Sequence, residues 1–113
     1  MPERRDPRVP RPRKKNQDRT RTRRIPPFHV ILANDPDHTV EFVVDVLRKV
    51  LGAPLERAVQ LTMEAHHNGR AIIWTGTKEV AELKVEQVTS FHEVRPDDGA
   101  ELGPLTCTIE PAP

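Results

Sequence analysis

Polar side chains that could bind a ligand are concentrated in one short stretch, Asn34-Asp35-Pro36-Asp37-His38. An amide, two carboxylates and an imidazole surround a proline, which fixes one backbone dihedral and ends any strand. A second polar pair, His66-His67, stands near the end of a later helical segment. Oxygen acceptors and an imidazole suit a positively charged donor such as an ammonium group.

The spacing of two predicted helices indicates how these groups could meet. Only Gly52 and Ala53 separate the helices, so they are expected to form a hairpin in which the start of one lies beside the end of the other. The expected site therefore joins the acceptors to an apolar patch. Its members are Asn34, Asp35, Asp37 and His66 with Val40, Val43, Thr62 and Ala65. A peptide with a free amino terminus and a bulky first residue offers both an ammonium and an apolar group, and capture of such an amine is a known recognition mode.

Other interpretations of the same residues are open. Asn-Asp-Pro-Asp is also ordinary turn chemistry, with Asp37 or His38 at the start of the helix. A metal site is less favoured, because adjacent histidines on a helix point about 100° apart and no H-x-x-x-H or C-x-x-C spacing exists. Catalysis is less favoured again, since there is no nucleophile elbow or phosphate loop and Cys107 falls on an apolar strand face. We expect no enzyme activity, metal or cofactor.

Hydrophobic periodicity predicts a single small α+β domain with the order β-α-α-β-α-β. Three strands form a mainly antiparallel sheet covered by three helices on one face. The expected elements are strand 28–33, helix 39–51, helix 54–67, strand 71–74, helix 77–93 and strand 105–110, with a polar loop from Arg95 to Gly103. The inner side of the second helix is expected to hold Leu55, Ala58, Val59, Leu61, Thr62 and Ala65, and that of the third Val80, Ala81, Val85 and Val88.

Charge divides the chain into two parts. Residues 1–27 hold eleven Arg or Lys, three acids and six prolines, so their net charge is about +8. Such a segment cannot bury enough apolar surface to offset the entropy of ordering, so it is predicted to be a disordered extension. Residues 28–113 carry a net charge of about −7 and form the folded domain.

The composition also bears on the compartment. One cysteine, Cys107, excludes an internal disulfide and fits a reducing cytosol. No stretch approaches the ~20 apolar residues of a membrane span, and residues 1–27 lack an apolar signal region. We expect a cytoplasmic protein with no membrane partner.

Four segments in order, VILANDPDHTVEFVVDVLRKVLG, ERAVQLTMEAHHNGRA, TKEVAELKVEQV and PLTCTIEP, resemble the ClpS family of Clp protease adaptors. The resemblance spans about Phe28 to Pro111. It implies a fold like the C-terminal domain of the ribosomal stalk protein. It also implies an adaptor without catalysis, which binds N-degrons (free N-termini beginning with Leu, Phe, Tyr or Trp). The adaptor would deliver them to a ClpA- or ClpC-type AAA+ unfoldase and the ClpP peptidase. The resemblance further implies a bacterial protein that is monomeric when free.

The resemblance also assigns roles to positions. Asn34, Asp35 and His66 match amine-binding positions. Leu32, Val43 and Leu105 match pocket-lining positions, Glu79 and Lys84 match charged positions that contact the unfoldase, and the basic extension matches a segment that takes part in delivery.

Some residues depart from the family pattern. Pro36 replaces a second acid that contacts the amine, so either Asp37 swings in or one acceptor is lost. Val40, Thr62 and Ala65 replace larger pocket residues, which predicts a wider and slightly more polar cavity.

Two alternative functions remain open: a ClpS-like module of altered specificity, or nucleic-acid binding by the basic extension. The second is less favoured because no aromatic residue interleaves with its basic residues.

Overall fold

The computed structural model describes residues 25–113. The predicted basic extension, residues 1–27, lies outside this range except for its last three residues. The elements are β1 (Phe28–Ala33), α1 (Val40–Leu51), α2 (Leu55–Asn68), β2 (Arg70–Gly76), α3 (Lys78–Thr89) and β3 (Cys107–Pro111). The predicted α+β order is confirmed. No helix in this part of the chain is long and apolar enough to cross a membrane.

The central strand β1 organises the sheet, whose order is β2-β1-β3 with both pairings antiparallel. Val30 pairs with Ile109 and Leu32 with Cys107. Because successive side chains point to opposite faces of a strand, Val30 and Leu32 enter the same core, and both are buried. The alternation read from the sequence therefore predicts this strand and its inward face correctly. Strand β2 is longer than the predicted residues 71–74, and its pairing with β1 shifts register between Val30 and Ile31.

Helix α1 begins later than expected because Thr39 is its cap. The Thr39 hydroxyl accepts from the Phe42 N–H at 3.1 Å, which satisfies one of the orphan donors of the first turn. Asp37 and His38 directly precede this cap, and neither of them is the cap itself. Gly52, at φ +67°, ends the helix in the left-handed conformation that glycine adopts without strain.

The second helix is less deeply packed than its sequence suggests. Its buried residues are Ala58, Leu61, Thr62 and Ala65. Leu55 is 50% exposed and Val59 is 38% exposed, so their predicted inward placement is wrong. The physical reason is that α2 buries a single stripe spaced three or four residues apart, and Leu55 and Val59 lie beside that stripe.

Helix α3 ends at Thr89, four residues before the predicted end at Glu93. The Thr89 and Ser90 hydroxyls donate to the carbonyls of Val85 and Gln87 at 2.8 and 2.7 Å, and such local bonds compete with continuation of a helix. Ala81 and Val88 are buried as predicted, whereas Val80 is exposed.

The polar segment from Arg95 to Gly103 is a small hairpin rather than an open loop. Val94 bridges Glu101, the Arg95 N–H donates to the Ala100 carbonyl at 2.9 Å, and Gly99 turns the chain at φ +70°. At the base of the hairpin, the Leu102 N–H donates to the Glu93 carbonyl at 2.8 Å. The hairpin therefore fixes the backbone of Glu93 and leads the chain back to the buried Leu105.

Candidate functional site

The polar stretch Asn34-Asp35-Pro36-Asp37-His38 lies where the sheet meets helices α1 and α2. The Ala33 N–H donates to the Thr106 carbonyl at 3.0 Å, and the Asn34 N–H donates to the Gly69 carbonyl at 2.9 Å. Gly69 is the C-cap of α2, one turn beyond His66. The backbone of Asn34 is thus attached directly to the helix end that carries the histidines, as the predicted helical hairpin requires.

A cavity of about 200 Å³ opens at this junction. Its rim carries polar groups from the turn and from α2, and its inner wall is made by buried apolar residues of β1, both helices and the segment before β3. The lining residues are Leu32, Ala33, Asn34, Asp35, Pro36, His38, Thr39, Val40, Val43, Thr62, Ala65, His66 and Leu105.

Most of the residues predicted for the site meet in this cavity. Asn34, Asp35 and His66 line it, together with all six of the apolar and pocket positions that the sequence indicated: Leu32, Val40, Val43, Thr62, Ala65 and Leu105. Their convergence was expected from the hairpin of α1 and α2, and the structure gives it.

Asp37 is the exception. It is exposed, and within residues 25–113 it is not one of those that line the cavity. Its backbone N–H donates to Asp35 Oδ1 at 3.0 Å in an Asx turn. Of the two possibilities left by Pro36, the structure therefore has the one in which Asp37 does not swing in.

The predicted unfoldase contacts lie elsewhere, on α3. Glu79 is exposed in its first turn. The Lys84 ammonium donates to the Val50 carbonyl near the end of α1 at 3.1 Å. Neither residue lines the cavity, so a partner at this helix and a ligand in the cavity would not compete for the same atoms.

The Asp35 carboxylate is oriented before any ligand arrives. Oδ1 accepts the Asp37 N–H, while Oδ2 lies 3.5 Å from His38 Nε2. Its side chain is 14% exposed. A carboxylate held in this way loses little conformational entropy on binding, which favours affinity.

One wall residue is polar. Thr62 is 5% exposed and its hydroxyl donates to the Ala58 carbonyl one turn earlier at 2.8 Å. The bond satisfies the hydroxyl inside the helix, so it imposes little cost on an apolar ligand. At the mouth, Val40 is 42% exposed, which leaves the opening wide.

Sequence reasoning missed the roles of His38, Thr39 and Glu93. The His38 side chain is only 2% exposed, stacks on Phe42 at 5.1 Å, and places Nδ1 3.1 Å from Glu93 Oε1. Glu93 also accepts from the Thr39 N–H and hydroxyl at 3.0 and 2.8 Å. A threonine directly before an apolar helical run was the available signal for the cap; nothing local indicates its partner.

The pKa values at the site follow from these contacts. Burial raises the pKa of Glu93, but the hydrogen bonds from Thr39 and His38 outweigh it and leave the pKa below its ordinary value. Burial raises the pKa of the Cys107 thiol to about 11, so this group stays protonated and is a poor nucleophile. Within residues 25–113, no three His, Cys, Asp or Glu side chains cluster as metal ligands would. The arrangement suits binding of a cation joined to an apolar group.

Comparisons with known proteins place the chain in one family. The protein-family model described as ATP-dependent Clp protease adaptor protein ClpS matches residues 23–108. The protein of that name from Vibrio cholerae is 39% identical over 85 residues, which are 75% of this chain and 74% of the relative. The one from Escherichia fergusonii is 41% identical over 98 residues, 85% of this chain and 87% of the relative.

A solved structure is similar as well. Agrobacterium tumefaciens ClpS2 bound to L-phenylalaninamide has a TM-score of 0.66 and 29% sequence identity, over 79% of this chain and 100% of that one. The ligand in that structure has a free amine and a benzyl side chain on one carbon.

Proposed function

Because the chain belongs to the ClpS family of Clp protease adaptors, as its sequence predicted, we propose that it is an N-degron receptor. It binds proteins whose free N-terminus begins with a bulky hydrophobic residue (Leu, Phe, Tyr or Trp). It then delivers them to a ClpA- or ClpC-type AAA+ unfoldase and ClpP in the bacterial cytoplasm. The protein itself does no chemistry on them.

The observation that carries the proposal is the convergence of Asn34, Asp35 and His66 on the rim of one apolar cavity. An α-ammonium group has three donors and a charge, so it is matched by an amide oxygen, a carboxylate and a neutral imidazole nitrogen. The first side chain leaves the same carbon as the amine. It therefore has to enter the adjacent hollow between Leu32, Val43 and Leu105.

The size of the hollow fits one large side chain. An apolar cavity of about 150 Å³ holds a benzene molecule, so a cavity of about 200 Å³ accommodates a phenyl or isobutyl group. This is smaller than the ~300 Å³ at which drug-sized sites begin. Recognition is thus expected to stop after the first residue, with the rest of the peptide outside.

The energies are consistent with a reversible adaptor. Burial of the side chain contributes about 1.5–3 kcal/mol, and each hydrogen bond to the ammonium about 1.5–3 kcal/mol. Several kcal/mol of association entropy oppose them. A binding free energy of about −8 kcal/mol, which corresponds to a Kd in the micromolar range, lies at the favourable end of this balance. Because Pro36 supplies no acceptor and Asp37 lies outside, the affinity is about tenfold weaker than a second acid would give.

The decisive experiment compares two peptides that differ at one group. A fluorescent peptide beginning with Phe and its N-acetylated twin are titrated by anisotropy, with a Gly-first peptide as the control for the side chain. Acetylation removes the charge and two donors, so the twin is expected to bind at least tenfold more weakly. Equal binding of the free and acetylated peptides would refute the amine mechanism, and equal binding of the Phe-first and Gly-first peptides would refute the apolar one.

Delivery is tested separately from binding. We expect that Glu79→Lys leaves peptide affinity unchanged, because Glu79 is exposed on α3 away from the cavity, but slows ClpP-dependent degradation of a Phe-first reporter. Removal of residues 1–24 is expected to act in the same way. Loss of peptide binding on that deletion would instead show that the basic segment forms part of the receptor site.

A further inference from the structure

Glu93 stands apart from the binding residues in sequence, yet three groups of the binding turn bond to it. Oε1 accepts the Thr39 N–H at 3.0 Å and lies 3.1 Å from His38 Nδ1, and Oε2 accepts the Thr39 hydroxyl at 2.8 Å. A carboxylate only accepts, so His38 Nδ1 carries a proton. We propose that Glu93 is a positioning residue for the amine site, which holds the 34–39 turn in its binding conformation. This inference rests on the proposed function.

The contacts continue from Glu93 to a group on the cavity rim. His38 is buried between two carboxylates, with Nδ1 on Glu93 and Nε2 3.5 Å from Asp35 Oδ2. Stacking on Phe42 fixes the plane of the imidazole. A displacement of Glu93 would therefore move the imidazole, and with it the surroundings of the carboxylate proposed to bind the ammonium.

Thr39 provides a second connection. Its hydroxyl donates to Glu93 and accepts from the Phe42 N–H, so the helix cap and the carboxylate are joined through one atom. Thr39 itself lines the cavity. Loss of Glu93 would free both the backbone and the side chain of the residue at which the turn ends and α1 begins.

The hairpin after Glu93 gives the carboxylate a rigid support. The Leu102 N–H fixes the Glu93 carbonyl, and the Leu102 carbonyl lies 3.0 Å from His92 Nδ1. The same segment then supplies Leu105 to the cavity wall. The sequence does not indicate a role for the segment from Arg95 to Gly103. In the structure it holds the backbone of Glu93 in place at one end and leads to Leu105 in the cavity wall at the other.

Three substitutions separate geometry from charge. Glu93→Gln keeps the length and an oxygen acceptor but removes the charge. Glu93→Asp keeps the charge but withdraws the carboxylate by about 1.5 Å, the length of one carbon–carbon bond. Glu93→Ala removes both, and Glu86→Ala on the exposed side of α3 is the matched control for a lost acid.

Affinities for the free-amine Phe-first peptide are measured by anisotropy, and the folded fraction of each variant is checked by circular dichroism. The expected result is that Glu93→Ala and Glu93→Asp weaken binding about tenfold, the effect of one lost hydrogen bond to an ion. The peptide affinities of Glu93→Gln and Glu86→Ala are expected to stay within about threefold of the affinity of the parent protein. If Glu93→Ala does not fold, the order of Gln above Asp still tests the proposal.

A second arm identifies the residue through which Glu93 acts. In an Asp35→Asn background, Glu93→Asp is expected to have little further effect, because the carboxylate it positions is already gone. The proposal is overturned if Asp binds as well as Gln, which would mean that the reach of the side chain does not matter, or better than Gln, which would mean that the charge matters instead. It is also overturned if the losses multiply independently. A parent protein that does not distinguish free from acetylated peptide would refute the proposed function instead.

Discussion

Replacement of Asp35 by Asn tests which acid recognises the ammonium. The structure makes this a clean substitution, because Asn retains an oxygen to accept the Asp37 N–H that Oδ1 now accepts at 3.0 Å. The new NH₂ group faces His38 Nε2, which is free to accept when Nδ1 carries the proton. The turn should therefore survive while the charge is lost.

The expected magnitude follows from the kind of bond that is lost. A hydrogen bond to a charged group contributes about 1.5–3 kcal/mol and a neutral one about 0.5–1.5 kcal/mol, so the difference is about 1–2 kcal/mol. The affinity for a free-amine Phe-first peptide should fall roughly 5- to 30-fold. Binding of the acetylated peptide should not change, since it has no ammonium.

Asp37→Asn is the matched control. It removes the same charge two residues away, from an exposed side chain outside the cavity. A solvent-exposed charge contributes at most about 1 kcal/mol to an ion pair and often nothing measurable, so we expect about a twofold change or less. The free energy of unfolding of both variants should lie within about 0.5 kcal/mol of that of the parent protein.

The opposite pattern would contradict this reasoning. If Asp37→Asn weakened binding more than Asp35→Asn, Asp37 would have to turn inward on ligand binding and supply the acceptor that Pro36 does not. Equal losses would mean that only the net charge of the turn matters.

Three further predictions concern stability and reactivity. The pKa of Glu93 is lowered in the folded protein. Its hydrogen bonds therefore stabilise the fold above the pKa of the unfolded chain, and this stability is lost as the pH falls through the pKa of the folded protein. Between about pH 6 and pH 3, the free energy of unfolding should decrease less in Glu93→Gln than in the parent protein. Burial raises the pKa of Cys107 from 9.0 to about 11. At pH 8 the thiolate fraction is therefore about a hundredfold below that of the unfolded chain, and a disulfide reagent should label Cys107 only as fast as the protein opens. Rapid labelling of the folded protein would contradict this. A Cβ at Gly76 would overlap the six-membered ring of Trp74, so Gly76→Ala should cost about 1–3 kcal/mol and shift the fluorescence of the single tryptophan; an unchanged spectrum and an unchanged unfolding curve would show that the ring moves aside freely.

Local patterns in the sequence determined most of the fold. Alternation in β1, and the glycines at 52 and 69 that end α1 and α2, place the strand and both helices within a few residues. Once two helices are joined by a short link, the start of one must lie beside the end of the other. The meeting of Asn34, Asp35 and His66 with an apolar wall was therefore predictable without coordinates.

The tertiary structure decided which acid faces the cavity and what holds the turn. Asp35 and Asp37 have the same chemistry and nearly the same position, and only the Asx turn and the packing of His38 separate them. Glu93 reaches Thr39 across 54 residues. A sequence period indicates which side of its own element a residue occupies, whereas contacts like these depend on how distant elements approach, and that is set by packing over the whole core.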